Sequence, residues 1–251
     1  LLTIPAIVMV YYYKRYKVTK LGTFFAFLIG CVITGVAQKA VIQYTIKSAG
    51  SFDIFFVNTL GLPFFSGFTT YFVFLAALIY VGIKISSSKN LTATQFGIWV
   101  ALLSLSILYP FISTGSGGAV IGKLILTLGI VAAITSYGLP ALKRNPYFLR
   151  LALWCFAFML IGYSTYLTTM IRSAANPAID MYNVDNPMSL EGYLGREQYG
   201  DFPLLYGQVF TAKPIDYAEG ETRFVKGKEK YLESGKDQSP VYAPEDKMLL
   251  P

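Results

Sequence analysis

Apolar residues in the first two thirds of the chain come in long blocks, without the strict alternation of a half-buried strand and without the polar stripe of a helix lying on a soluble core. A bilayer core of about 30 Å needs about 20 apolar residues of helix. Six blocks stand out: Leu1 to Tyr13, Leu21 to Ile46, Phe64 to Ile85, Thr94 to Ile112, Ala119 to Leu139 and Tyr147 to Met170. The first is too short to span and lacks the basic start and cleavage site of a signal peptide, so it reads as the end of a helix and the chain as an internal fragment. The pattern predicts a mainly α fold: a polytopic membrane helix bundle of about six hydrophobic segments, followed by a small mixed α/β region on the outer face. The divisions are residues 1–170, membrane helices; 171–203, an interfacial segment; and 204–251, the start of an outer soluble region.

Composition agrees with this pattern. Of 251 residues 54% are hydrophobic and 14% charged, well below the quarter typical of soluble domains; the mean hydropathy is +0.50. The net charge of +7 is unevenly spread. Residues 1–170 hold 12 Lys and Arg against the single acid Asp53; residues 171–251 hold 9 against 13 acids. The basic residues cluster in the short loops around residues 14–20, 84–90 and 142–150. That arrangement follows the positive-inside rule and argues against nucleic acid as a partner. It predicts an integral membrane protein with the chain from Ile171 on the outer side, in the periplasm or its equivalent.

The chain has no His, and Cys31 and Cys155 lie in apolar blocks without a nearby partner in sequence. His-based triads and the usual zinc sites are excluded, no cofactor is expected, and metal dependence is left open. Among polar residues at the outer ends of the blocks, Gln38, Lys39, Gln43 and Lys123 either snorkel to the headgroups or line a polar cavity. Ser and Thr between Tyr163 and Thr169 can bond within their own helix. The stretch "FDIFFVNTLGLPFFSG", Phe52 to Gly67, is expected to be a loop or short helix in the interface. Asp53 within it is either a solvated or helix-capping group or a weak catalytic candidate.

After the last block the text changes. In "IRSAANPAIDMYNVDNPMSLEGYLGREQYGDFP", residues 171–203, Asn176-Pro177 and Asn186-Pro187 mark turns. A short helix is predicted with Asn186 as N-cap, Pro187 in its first position, Leu190, Tyr193 and Leu194 on one side and Gly200 as its stop. Arg172 and Arg196 suit bidentate phosphate contacts, or else ion pairs with Asp180, Asp185 or Glu197 that hold the segment compact.

Arg172, Asn176-Pro177, Ile179-Asp180, Asn186-Pro187 and the run from Tyr193 to Gly200 resemble the signature of a bacterial multi-pass membrane family of formerly unknown function. That family is related to the transmembrane protein O-mannosyltransferases and grouped with the C-type glycosyltransferases. The stretch from Phe52 to Gly67 resembles it too. The resemblance implies transfer of a sugar from a polyprenyl-phosphate donor to a protein or glycan acceptor at the outer face, within membrane lipid. It makes Arg172, Asn176, Asp180, Arg196, Glu197, Gln198 and Tyr199 substrate-binding candidates. The family's acidic catalytic loop is a Trp-Asp-x-Gly-Glu-Phe type of motif, which this sequence does not contain. The fragment is therefore expected to need the rest of its protein for catalysis.

Beyond residue 204 a hairpin is predicted around "VKGKEK", Val225 to Lys230, with further turns at Lys213-Pro214, Gly220 and Gly235. "STGSGGAVIGK" has the wrong spacing for a phosphate-binding loop and lies between blocks. Two other functional classes fit the polar residues: a transporter or channel using Gln38, Lys39 and Gln43, and a non-catalytic scaffold subunit whose outer segment binds a partner.

Overall fold

The computed structural model describes residues 2–88, 90–115, 117–199 and 206–249. It is mainly helical, with five helices long and apolar enough to cross a membrane, and a small sheet region near the C-terminus. The chain divides into two compact units, residues 1–48 with 73–165 and residues 49–72 with 166–251.

In the first unit, α1 (Thr3–Arg15) packs against α2 (Lys20–Val36). Their backbones come close at Gly30, where an added Cβ would lie 2.4 Å from the Cα of Pro5. Small residues permit such approach where lipid offers no hydrophobic drive to helix pairing. The helix from α2 continues through a π-helical stretch, Ala37–Gln43, into α3 (Tyr44–Asn58). Of the loop or short helix expected from Phe52, the structure has the helix, which runs as far as Asn58 at the end of α3. No breaker precedes Gly61 and Pro63, and the polar groups of Asp53 and Asn58 are engaged elsewhere in the fold, as described below. The helical residues from Lys20 to Asn58 number 39, about twice the roughly 20 that a bilayer core needs.

The π stretch holds Gln38, Lys39 and Gln43. Its wide turn bonds Tyr44 N–H to the Lys39 carbonyl and sets the Lys39 ammonium 5.6 Å from the Tyr44 ring centre. The remaining long helices are α4 (Ser66–Ser87), α5 (Ala93–Ser113), α6 (Gly117–Arg144) and α7 (Pro146–Tyr163). A 3₁₀ turn, Ser164–Tyr166, joins α7 to α8 (Leu167–Ser173), so that residues 146–173 form one apolar span. Ser164 and Thr165 donate to the carbonyls of Ile161 and Gly162, bonding within their own turn as expected.

Trp99 of α5 is buried against Gly82 of α4 and donates its indole N–H to the Leu78 carbonyl at 2.8 Å. Lys123 of α6 is partnered by Thr114. Its ammonium donates to the carbonyl and hydroxyl of Thr114 at 2.9 and 2.7 Å and lies over Phe111, closing the C-terminal end of α5. Cations favour that end of a helix because its last carbonyls are unpaired.

In the second unit, α9 (Pro187–Gly195) starts as the sequence predicts. Asn186 is extended and its side-chain oxygen accepts from the N–H groups of Met188 and Ser189. The predicted stop differs. α9 ends at Gly195, with Arg196 in the left-handed region at φ 59°, while Gly200 and the 203/204 division lie outside the described residues.

The hairpin is formed by β2 (Asp216–Lys226) and β3 (Tyr231–Val241), whose connection closes through Gly227 N–H on the Lys230 carbonyl. Gly220 and Gly235 lie inside the strands, not at turns, because each strand carries one extra residue there. The register slips first on β2, between Glu219 and Thr222, then on β3 around Gly235, at φ 103°. Bulges of this kind leave one residue unpaired, and glycine tolerates the backbone they need. Strands β1 (Tyr206–Gln208) and β4 (Lys247–Leu249) form a separate antiparallel pair.

Candidate functional site

Two polar constellations occupy the second unit. The first is built on Asp53, which is fully buried. Its Oδ1 accepts from the N–H groups of Gly67 and Phe68 at 3.0 and 3.3 Å. Its Oδ2 accepts from Phe65 N–H at 3.0 Å and from the Tyr231 hydroxyl at 2.7 Å. A carboxylate offers about four acceptor positions, and here the protein fills four. Three of the donors belong to the start of α4, where the first N–H groups of a helix have no partner of their own and negative charge is favoured. Asp53 is therefore a capping group, the structural one of the two roles open to it from sequence.

Tyr231 is fixed at its other end by Asn58, whose amide donates to the Tyr231 carbonyl at 3.0 Å while its oxygen accepts the Tyr231 N–H at 2.9 Å. The phenol packs edge-on to Phe64 at 5.1 Å. Burial, and then the Asp53 carboxylate beside it, hold the Tyr231 phenol far above its usual range. Lys226 extends the constellation. It lies over the rings of Phe64 and Phe65 and 3.6 Å from the Asp185 carboxylate.

Gly67 makes this approach possible. A Cβ there would stand 2.3 Å from the Phe52 carbonyl oxygen and 2.6 Å from the Asp53 Cα, both backbone atoms that cannot step aside. Gly67→Ala is expected to lower stability by about 1–3 kcal/mol through forced displacement of α4 from α3. Thermal unfolding in detergent checks this, and an unchanged midpoint would contradict it.

The second constellation is the signature segment. Arg172 stands in the last turn of α8, exposed. Asn176 is exposed at φ 49°, its N–H on the Ser173 carbonyl, so its role is to turn the backbone. Asp180 accepts the Ser173 hydroxyl at 2.6 Å, and Glu197 accepts the Tyr182 hydroxyl at 2.8 Å. Gln198 makes a weak contact with the Met181 sulfur at 3.7 Å. Tyr199 is exposed and closes a 3₁₀ turn on the Arg196 carbonyl. The structure thus gathers Glu197 against Tyr182, Gln198 against Met181, and Ser173 against Asp180.

This arrangement decides one alternative left open by the sequence. Asp180 is bonded to Ser173, Asp185 to Asn186 and Lys226, and Glu197 to Tyr182. Among the described residues, neither Arg172 nor Arg196 is in an ion pair with them, and both guanidinium groups are exposed. Backbone conformation marks the same segment. Among the described residues, the non-glycine residues with positive φ are Phe65, Asn176, Tyr182, Asn183 and Arg196, all in the second unit. Bulky residues keep such conformations only where their surroundings over-determine them, and they concentrate at functional sites.

Sequence reasoning missed Tyr182, Tyr231, Asn58 and Lys226, whose partners are distant along the chain and leave no local pattern. Tyr182 gives a test of its own contact. Burial, and then its bond to Glu197, raise its phenol to about 12. A phenol raised above its unfolded value near 10 contributes stability that is complete below pH 10 and is lost as pH rises through about 12. The alkaline difference titration of wild type against Tyr182→Phe should show one tyrosinate appearing late, near pH 12. Loss of that late component under denaturant is expected as well.

Residues 200–251 match the Family of unknown function (DUF8416). The match begins at residue 200, the last of the run from Tyr193, and leaves the long apolar helices outside it. No curated protein and no solved structure matches the chain.

Proposed function

We propose that the chain is part of an integral-membrane glycosyltransferase that moves a sugar from a polyprenyl phosphate to a protein or glycan acceptor at the outer face of the membrane. The observation that carries this reading is the pair of exposed arginines, Arg172 and Arg196, which are in no ion pair among the described residues, while Asp180, Asp185 and Glu197 have other partners. Sequence resemblance points the same way, since both arginines belong to the signature run. The charge alternation of the loops supports an outer position for the segment.

In this reaction the acceptor hydroxyl oxygen forms a bond to the anomeric carbon, and the bond from that carbon to the phosphate oxygen breaks. The phosphate leaves with the electron pair, and cations placed where that charge develops lower the barrier. Arg172 and Arg196 serve this purpose; Lys123, occupied with Thr114, does not. The hydroxyl proton needs a carboxylate. Asp53 has no acceptor position to spare, so the proton goes to another acid, which the resemblance places in the family's acidic loop.

The full-length protein in lipid, incubated with a panel of polyprenyl-phosphate sugars and candidate acceptors, should yield acceptor carrying covalent sugar with at least one donor. Neither transfer nor binding of any donor would overturn the reading. A transport reading draws on one observation, the π stretch that holds Gln38, Lys39 and Gln43, since π turns are frequent at functional sites. Solute flux in the same vesicles without sugar transfer would favour it.

A further inference from the structure

Arg196 ends α9 in a left-handed conformation, φ 59° and ψ 31°, which costs a non-glycine residue about 1–2 kcal/mol. Its N–H turns back to the carbonyls of Gly192 and Tyr193, and the next side chain, Glu197, is gripped by the Tyr182 hydroxyl at 2.8 Å. Tyr182 and Asn183 are themselves left-handed, at φ 72° and 45°. Three unfavourable backbone conformations therefore bracket a single side-chain hydrogen bond.

The space for that bond is provided by Gly192, which is buried. A Cβ there would fall 2.2 Å from the Tyr182 hydroxyl and 2.7 Å from Glu197 Oε2. Core packing does not account for the arrangement, because Glu197 is exposed and Tyr182 only half-buried. Its consequence is electrostatic and directional. The carboxylate next in sequence to Arg196 is drawn to a neutral phenol, and the Arg196 guanidinium is left exposed without an ion pair among the described residues.

We propose that Tyr182, Glu197 and Gly192 form a clasp that positions Arg196 toward the phosphate of the lipid-linked donor. This rests on the function proposed above and adds three positioning residues to it. The ligand chemistry is a phosphate ester, and its source is the lipid carrier.

The test uses full-length protein in nanodiscs and measures affinity for a polyprenyl monophosphate, with inorganic phosphate as the competing probe. Tyr182→Phe and Glu197→Ala are expected to weaken binding about five- to tenfold, the scale of the net contribution of one ordinary hydrogen bond. Glu197→Gln keeps an oxygen that accepts the Tyr182 hydroxyl and should stay within about twofold of wild type. The double variant Tyr182→Phe with Arg196→Ala should bind no more weakly than Arg196→Ala alone, because a positioning residue has nothing left to position.

Losses that multiply in the double variant, or wild-type affinity in Tyr182→Phe beside a weakened Arg196→Ala, would overturn the clasp while sparing the function. Wild-type affinity in Arg196→Ala would overturn the phosphate role of Arg196, and the clasp with it. Competition by inorganic phosphate at the concentration of the lipid would overturn the lipid source. Gly192→Ala crowds the same bond and should reproduce the Tyr182→Phe loss. If it does not fold, Tyr182→Phe, which removes one oxygen and adds no bulk, carries the test.

Discussion

Replacing Asp53 with alanine is expected to lower stability by roughly 3–5 kcal/mol and to free the hairpin of residues 216–241 from the turn between α3 and α4. The change strands three backbone N–H groups and the Tyr231 hydroxyl in a buried setting, where each unpartnered donor costs about 1–3 kcal/mol before relaxation. Asparagine does not rescue it. All four contacts are donors, and the asparagine amide would turn two hydrogens of its own toward them. Tyr231→Phe, which removes one donor and leaves the helix cap in place, should cost less, about 1–2 kcal/mol.

Hydrogen exchange at Phe65, Gly67 and Phe68, with limited proteolysis of the hairpin, reports these losses directly. A catalytic base behaves otherwise. If Asp53→Asn kept the wild-type melting point and protected amides while transfer stopped, the capping role would be refuted.

The second large effect belongs to Arg172 and Arg196. Alanine at both is expected to lower affinity for a polyprenyl-phosphate sugar by at least about a hundredfold, from two charge-assisted hydrogen-bonding groups each worth about 1.5–3 kcal/mol. Lysine at both should recover only part of this, because an ammonium cannot offer the paired donors of a guanidinium. Stability should change little, since both side chains are exposed and neither is in an ion pair among the described residues. The contrast separates the two constellations. Variants at Asp53 lose the fold first, whereas variants at the arginines lose the ligand first. Unchanged donor affinity and transfer in the double alanine variant would remove the arginines from the proposed site.

Features that depend on near neighbours were legible from residue types alone. Apolar blocks of bilayer length became the five long helices, four with ends within about five residues of the block and one, begun at Lys20, carried past Ile46 to Asn58. Asn186-Pro187 started α9 because the cap acts over two or three positions, on Met188 and Ser189. The turn before Tyr231 closed through Gly227 and Lys230 for the same reason.

The errors share one cause. Phe52 to Asn58 reads as a loop or a short helix because Asp53 and Asn58 interrupt the apolar run, yet it is the end of a long helix, with both polar groups satisfied by residues as far away as Tyr231. Gly200 reads as the stop of a helix that Arg196 ends five residues after Glu191, in a backbone region that its side chain alone disfavours. Lys123 leaves snorkelling and a polar cavity both open from sequence, and only the structure shows its ammonium on Thr114.

By itself the sequence determined the helical class, the lengths and limits of the apolar segments, the alternation of charge between loops, and the local caps and turns. Each follows from interactions within a few residues or from the solvent a long apolar run requires. Only the tertiary structure decided which polar groups are already spent. It gave Asp53 to the start of α4 and to Tyr231, gave Asp180, Asp185 and Glu197 to partners other than arginine, and left Arg172 and Arg196 exposed. A buried hydrogen bond depends on three-dimensional proximity, and the order of residues along a chain does not record it.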